Sequence, residues 1–447
     1  MSNNNKRRGC SGTIFLLLLV LFVSTLFVDL DAEDINKGPY STTSNQGSFS
    51  VSFTQLTSEP QTTDASLPSM SFQTGSTTKP TQSTVSFTQG TTVNNLVSNS
   101  PGKFKVRYTD SDRIYNMLDD KQKQVYNELA KGLADGELNF SFEGISRDDF
   151  LYTYYGFLHE HPEFFWLDSK SITNSDLSGN LNVKLSTYSY WTYSNDREGY
   201  IDRLNKKVDE IIRGASHCVT DYDKIKYVHD YLVTNIVYDK AALPEINKTE
   251  RSVSTEQTLS LYGALINGKC VCGGYSESFY YLTRALGVNT FYIQGYGVKE
   301  YHAWNYIEID GQYYYMDVTW DDFDSTDYPK GIDYSYFCVN QQELFRDHTP
   351  DEDYPAPDCN GDKYNYHRLN GYYFTEYDFE SVRNAFNDQK GQQFASIRFS
   401  NKKAYDTALK DLMDNNSVYD IELVKNNKGS LRYYHLDEKY VIILCIK

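Results

Sequence analysis

The stretch that most limits the fold is 302–320, HAWNYIEIDGQYYYMDVTW. Two strand-like runs, 302–310 and 312–320, meet at Asp310-Gly311. Asp-Gly suits a two-residue hairpin turn, because both central residues of that turn need positive φ. The dipeptide predicts an antiparallel hairpin in which Ile309 faces Gln312. Continued along the strands, that pairing sets Trp304 against Asp317 and leaves His302 diagonal to Asp317 on the same face. An imidazole and a carboxylate reach one another across such a diagonal. A four-residue turn keeps this parity, and a three-residue turn breaks it unless a bulge restores it. The other face carries Ile307, Ile309, Met316 and Val318, which suits a core. A further strand is expected at 288–297.

Ahead of these strands lies GKCVCGGYS, 268–276. A helix is expected from 276 to 286, stopped by Gly287, with Cys272 just before it. Unpaired N–H groups and the helix dipole at that end favour a thiolate. Gly273 and Gly274 are read as allowing a sharp turn and close approach of a substrate. Cys270 sits farther out and gains less. If the helix packs over the His302 face, Cys272 becomes a nucleophile, His302 its base and Asp317 the acid that orients the imidazole. Alone, Cys272 would read as a buried structural thiol. Together with His302 and Asp317 it reads as catalytic. The backbone N–H of Cys272 is the expected oxyanion donor, with Tyr262 a candidate for the second. No second C-x-x-C or H-x-x-x-H completes a ligand set, so neither a metal nor a cofactor is expected. Asp321 and Asp322 could bind a cation but read rather as a solvated turn or a helix cap, and Trp304 and Trp320 as packing rather than substrate stacking. The other histidines, at 159, 161, 217, 229, 348, 367 and 435, follow no pattern.

The rest of the chain sets the context. At 447 residues it is too long for one core. Its net charge of -17 argues against nucleic acid as a partner, since phosphate contacts need clustered Lys and Arg. Lys6, Arg7 and Arg8 precede an apolar run, 13–28, which reads as a secretory signal or an uncleaved membrane anchor. Residues 1–32 are assigned to that segment, and the Ser/Thr-rich 33–103 to a disordered stalk. A catalytic domain is expected over 104–355 and a small α+β domain over 360–447. Helices are expected at about 119–135, 196–214 and from Thr220, whose T-D-Y-D has capping-box spacing. Residues 241–255 read as a loop, NYHRLNGYYFTEY as a hairpin, and the last 30 residues as two strands. The 40 tyrosines suit either a carbohydrate- or peptide-contact surface or half-buried rings on strands, and the second reading is preferred. Six cysteines lie beyond the apolar run at irregular spacing, so no disulfide framework is expected.

GKCVCGGYSESFYYLTRALG followed by YHAWNYIEIDGQYYYMDVTWDD resembles the transglutaminase-like superfamily, whose core is related to papain-like cysteine peptidases. The close match covers about 256–322, and a looser one reaches back to about Tyr115. The resemblance implies an α+β, papain-like/transglutaminase-like core, a nucleophile helix packed on an antiparallel sheet. It implies Cys272 as nucleophile, His302 as base and Asp317 as orienting acid. Position 270 is commonly a small residue in the family and is Cys here. The expected function is an extracellular thiol enzyme that cleaves or transfers an amide acyl group through a thioester, with hydrolysis favoured. Its expected partner is a peptide or protein substrate, cell-wall peptide among the candidates, with membrane attachment through 13–28. The alternative is a non-catalytic surface module that binds wall polymers or proteins.

Overall fold

Capping residues set where the helices begin. The structure is a computed structural model that describes residues 113–446 except 178–179, 249, 299, 324–330 and 428–430. The apolar run at 13–28 and the stretch 33–103 lie outside the described residues. Among the described residues no helix is long and apolar enough to cross a membrane. Helix α1 (Asp120–Ala134) starts behind Asp119, whose side chain accepts from Gln122 N while Gln122 bonds back to the Asp119 backbone. Strand β1 (Asn139–Glu143), helix α2 (Arg147–Glu160) and strands β2 (Leu167–Leu177) and β3 (Asn180–Thr187) follow, forming a sheet of order β1-β3-β2. Polar residues such as those of LDSKSITNSDL hide this sheet from pattern reading. Helix α3 (Arg197–Gly214) buries Ile201, Leu204, Val208 and Ile211. Helix α4 (Asp221–Asn235) has the Thr220 capping box, with Asp223 in the place of the usual Glu or Gln. Residues 241–255 are not all loop: short helices form at Leu243–Ile246 and Val253–Thr258. Such short segments are set by local caps, here Ser252 accepting from Thr255 N, rather than by periodicity.

The central layer pairs helix with sheet. Strand β4 (Val237–Tyr238) runs parallel to β5 (Lys269–Cys270), and helix α5 (Cys272–Ala285) follows directly. Strands β6 (Asn289–Gly297), β7 (Glu300–Ile309) and β8 (Gln312–Met316) form antiparallel pairs. Asp310 and Gly311 have φ of 53° and 73°, as the two-residue turn demands. Ile309 faces Gln312 and Asn305 faces Met316, so the expected register holds. The second strand ends early, however. Asp317 caps a helical turn, Val318–Asp321, because its side chain offers the Thr319 and Trp320 N–H groups an acceptor that competes with the ladder. A two-residue pairing of β9 (Asp322–Phe323) with β10 (Gly331–Ile332) follows, and β11 (His348–Pro350) completes a sheet of order β11-β6-β7-β8.

Helix α5 does not lie over the face that carries His302. It packs on the opposite face, where Asn305 bonds the helix and Ile307 and Met316 join its core. The face of His302, Trp304 and Tyr306 is covered instead by Tyr336, Val339 and Leu344. Both faces are thus buried, the aliphatic one against the helix and the aromatic one against the segment that follows the hairpin.

The C-terminal part begins with a helix, Tyr366–Leu369, capped by Asn365, not with the expected hairpin. Strand β12 (Tyr373–Phe374), helix α6 (Phe379–Asp388), β13 (Phe394–Phe399), helix α7 (Lys402–Leu409), β14 (Arg432–Leu436) and β15 (Val441–Cys445) follow. The sheet order is β12-β13-β15-β14, and β12 runs parallel to β13. This sheet is tied to the preceding segment by buried polar bonds. Arg398 Nη1 donates to Ser335 O (3.0 Å) and Lys439 Nζ to Glu343 O (2.7 Å). The Tyr334 and Tyr366 rings stack with centroids 3.8 Å apart. Many tyrosines point inward, among them Tyr154, Tyr275, Tyr306, Tyr314 and Tyr434, which agrees with the packing reading of the tyrosine excess.

A Cβ at Gly311 would meet nothing within 4 Å, so substitution there tests the backbone alone. Gly311→Val should cost about 1–2 kcal/mol, the penalty of an L side chain in the left-handed region. A urea midpoint unchanged from wild type would contradict the turn assignment.

Candidate active site

The helix carrying Cys272 starts at that residue rather than at 276. Val271 supplies no side-chain cap and the first turn holds no acidic residue. The leading N–H groups are therefore left to whatever lies in front of the helix. Gly273 and Gly274 are helical and make no sharp turn. Gly274 is required for another reason: a Cβ there would sit 2.5 Å from Cys270 Cβ and 2.9 Å from its Sγ. Cys270 is wedged beneath the helix, fully buried. Burial, helped by the neighbouring Cys272, pushes its thiol well above the ordinary range. Two bonds fix the helix on the sheet. Ser276 Oγ donates to Ala303 O (2.8 Å), and Asn305 Nδ2 donates to Ser276 O (3.0 Å). Asn305 thus registers the helix of Cys272 against the strand of His302, a role its place in H-A-W-N did not reveal.

His302 and Asp317 meet as the hairpin register requires, with Nε2 to Oδ2 at 2.8 Å. Asp317 is fully buried and its four hydrogen bonds are divided evenly. Oδ1 accepts from Thr319 N (3.0 Å) and Trp320 N (3.2 Å), and Oδ2 faces the rings of His302 and His348. Burial alone would raise this carboxyl, but His302 and His348 hold it well below the usual carboxylate range. Burial would likewise push the His302 imidazole down. Asp317, through charge and hydrogen bond, and the Cys272 thiol bonded to the ring carry it up to about 10 instead. The structure therefore brings Cys272, His302 and Asp317 into one connected set.

Residues 206–318 match the sequence model of the transglutaminase-like superfamily. This segment contains Cys272, His302 and Asp317 and ends at Val318. Among solved structures, the chain is similar to a TGase at 16% identity, over 38% of this chain and 50% of that one, with a TM-score of 0.24. A candidate cysteine protease from Cytophaga hutchinsonii is 16% identical over 33% and 61% of the two chains, with a TM-score of 0.20. A candidate protease from Parabacteroides distasonis is 10% identical over 32% and 35%, with a TM-score of 0.18. The chain spans less than two thirds of the length of each of these. No curated protein matches it.

Around the transglutaminase-like segment the structure adds groups that pattern reading passed over. His348 reaches Asp317 Oδ2 from β11, with Nε2 at 3.1 Å. It faces Gly297 in the β11–β6 ladder, and its link to Asp317 depends on a pairing that leaves no local signal. Two glycines make room on that face. A Cβ at Gly295 would lie 2.8 Å from Trp304, and one at Gly297 would lie 2.8 Å from Trp320. The two indoles wall the His302–Asp317 pair, as the packing reading has it. Tyr238 lies opposite Cys270 in the β4–β5 ladder. Burial first, then the charges of Cys272, Glu300, Cys270 and Asp317, push its phenol well above the ordinary range, so it stays a neutral hydroxyl. Tyr262 serves elsewhere: it accepts from Arg203 Nε (3.1 Å) and stacks on Phe165.

Asp321 and Asp322 are buried, not solvated. Asp321 accepts from Tyr336 N (2.9 Å) and meets His229 Nε2 at 3.2 Å, and burial pushes its carboxyl up to about 8. Asp322 accepts from the Tyr275 hydroxyl. Both tie the end of the hairpin to neighbouring elements. Among the described residues, His302, Asp317 and His348 form the group whose donor atoms, all within 4.8 Å, could hold a metal ion. Their present contacts are hydrogen bonds to one carboxylate oxygen, and an ion at about 2.0–2.2 Å from each would have to displace both bridging protons.

The raised His302 value has a consequence for stability. The folded chain keeps a proton that the unfolded chain, with an ordinary histidine near 6.5, releases. This contribution is complete below about pH 6.5 and is lost as pH rises toward about 10. The depressed Asp317 acts at the other end: its contribution is present above about pH 4 and is lost as pH falls. Thermal midpoints of the full chain should therefore fall from pH 6.5 to 10 more steeply in wild type than in His302→Gln. Parallel curves would refute the coupling.

Proposed function

We propose that the chain is an extracellular thiol enzyme that acts on amide bonds of peptides or proteins, with hydrolysis favoured over transfer to an amine. Cys272 is the nucleophile, His302 the general base and acid, and Asp317 the orienting acid. The observation that carries this reading is the connected set itself: a cysteine at an uncapped helix N-terminus, bonded to a histidine that a buried carboxylate holds at 2.8 Å. The transglutaminase-like match over the same residues supports it.

Each part has a chemical role. His302 takes the thiol proton, and Asp317 stabilises the imidazolium that results. Asp317 binds Nε2, which leaves Nδ1 for the sulfur. Sulfur attacks the amide carbonyl carbon and the carbonyl electrons move onto oxygen. The backbone N–H groups at the start of α5 lie on the side where that charge develops, and the Tyr238 hydroxyl is a further candidate donor. As the tetrahedral species collapses, His302 gives its proton to the leaving amine and a thioester remains. Water then donates a proton to His302 and attacks the thioester. The acid leaves and the thiol regains its proton. Partial exposure of Cys272 supports hydrolysis, because water has access to the acyl sulfur. Lys6, Arg7 and Arg8 ahead of the apolar run at 13–28 support export, with 13–28 as signal or anchor.

Iodoacetamide labelling of the full chain, mapped by mass spectrometry, tests the assignment. Cys218 is a partly exposed internal control. Cys272 should react at about pH 6–7, well below the ordinary thiol range near 8.5. In His302→Ala the rate should drop at least about tenfold at that pH. If Cys272 and Cys218 label alike, or if Cys270 labels first, the assignment is wrong.

A further inference from the structure

The carboxylate that orients His302 is shared with a second imidazole, and that imidazole is held from outside the transglutaminase-like segment. His348 Nε2 meets Asp317 Oδ2 at 3.1 Å, and its Nδ1 meets Asp347 Oδ1 at 2.6 Å. Asp347 Oδ1 also accepts from Lys439 Nζ (2.8 Å), and Asp347 Oδ2 from the Tyr336 hydroxyl (2.8 Å). Lys439 lies in the turn between β14 and β15 of the C-terminal sheet. A continuous chain of polar contacts therefore runs from that turn through Asp347, His348, Asp317 and His302 to Cys272. His348, Asp347 and Lys439 all lie beyond Val318, where the superfamily match stops.

The protons in this chain are constrained by geometry. A carboxylate can only accept when ionised, and a neutral imidazole carries a single N–H. Both carboxylates flanking His348 are kept ionised. Burial would raise Asp347, but Lys439 and His348 hold it below its ordinary value, and Asp317 is held down as described above. A ring with one such carboxylate at each nitrogen makes both bonds only when both nitrogens are protonated. The ring centroids of His302 and His348 are 5.6 Å apart, with Trp304 and Trp320 closing the sides. The charged groups facing His348 are Asp347 from its own segment, Asp317 from the end of the hairpin and His302 from β7. Lys439, with Glu343 and Arg398 beside it, stands behind Asp347.

We propose that His348 is a positioning residue, a second imidazolium on Asp317 that divides the carboxylate's charge with His302 and so sets the pH range over which His302 holds its proton. Asp347 and Lys439 keep His348 in that state, which makes the C-terminal sheet part of the active-site electrostatics. The proposal rests on the triad reading above. An imidazolium bound too strongly by its carboxylate is a poor proton donor to a leaving amine, and a second cation on the same oxygen weakens that hold. Removing the second cation should make His302 hold its proton to higher pH. A charge at this separation moves a buried site by about one to two pH units.

The test uses the full chain and iodoacetate, an anionic reagent whose reaction with Cys272 falls when His302 loses its positive charge. The upper limb of the pH–rate profile then reports His302. His348→Gln keeps an N–H donor and removes the charge. Asp347→Asn keeps His348 and an acceptor but removes the carboxylate that demands the second proton. Both should move the upper limb upward by about one pH unit, in the same direction. A merely structural role would lower the rate or the thermal midpoint without moving the limb. An upper limb that coincides with wild type in either variant, with its fold retained by thermal midpoint, overturns the proposal. Histidine-selective ¹⁵N NMR of the wild-type chain at about pH 7 gives an answer that needs no variant to fold. Two protonated nitrogens on the histidine whose signals show contact with Asp347 and Trp320 are expected, and one bare nitrogen there overturns the proposal. If wild-type Cys272 reacts as an ordinary thiol, the triad reading fails, while the NMR result still decides the state of His348.

Discussion

The carboxylate of Asp317 is the point on which the site depends. It is fully buried, and four groups converge on it: two backbone N–H groups and two imidazoles. An ionised carboxylate in such a place is costly unless it is fully bonded. The arrangement meets that cost by ending a strand. The β8 ladder stops at Met316 so that the next residue can cap a helical turn and hold its side chain against the two rings. Loss of any partner leaves the others bound to a charge with an unfilled acceptor site, which is why the elements carrying them are packed tightly around it.

Three layers keep those partners in place. The helix of Cys272 lies on the aliphatic face of the sheet, pinned through Ser276 and Asn305. The opposite face carries His302 and the indoles, and the 334–350 segment covers it. Cys272 reaches the ring from the helix end, not from the helix face, so the helix can bury its apolar side while its first residue stays partly exposed. The Gly295–Gly297 stretch of β6 matters for the same reason: side chains there would occupy the space of Trp304 and Trp320.

The C-terminal sheet adds a buried charge network to this core. Arg398 and Glu343, Lys439 and Asp347 sit between the two parts of the chain as buried, oppositely charged groups. Buried ion pairs of this kind contribute little net stability and are more sensitive to the loss of one partner than to the loss of both. Their position behind His348 links them through Asp347 to the Asp317 carboxylate.

Much of this was written in the sequence. The Asp310-Gly311 turn fixed the hairpin register, and the register put His302 and Asp317 on one face, because a two-residue turn leaves strand parity no freedom. The Thr220 cap and the apolar spacing of α1 and α3 placed helices for similarly local reasons. Tertiary structure decided what no local rule reaches. Which face of the sheet takes the helix was such a matter, since both faces end up buried. The convergence of two histidines from other strands on Asp317 was another. The partnership of His348 with Asp317, and of Lys439 with Asp347, joins residues far apart in the chain, and side chains so separated leave no periodic trace until the backbone between them has folded.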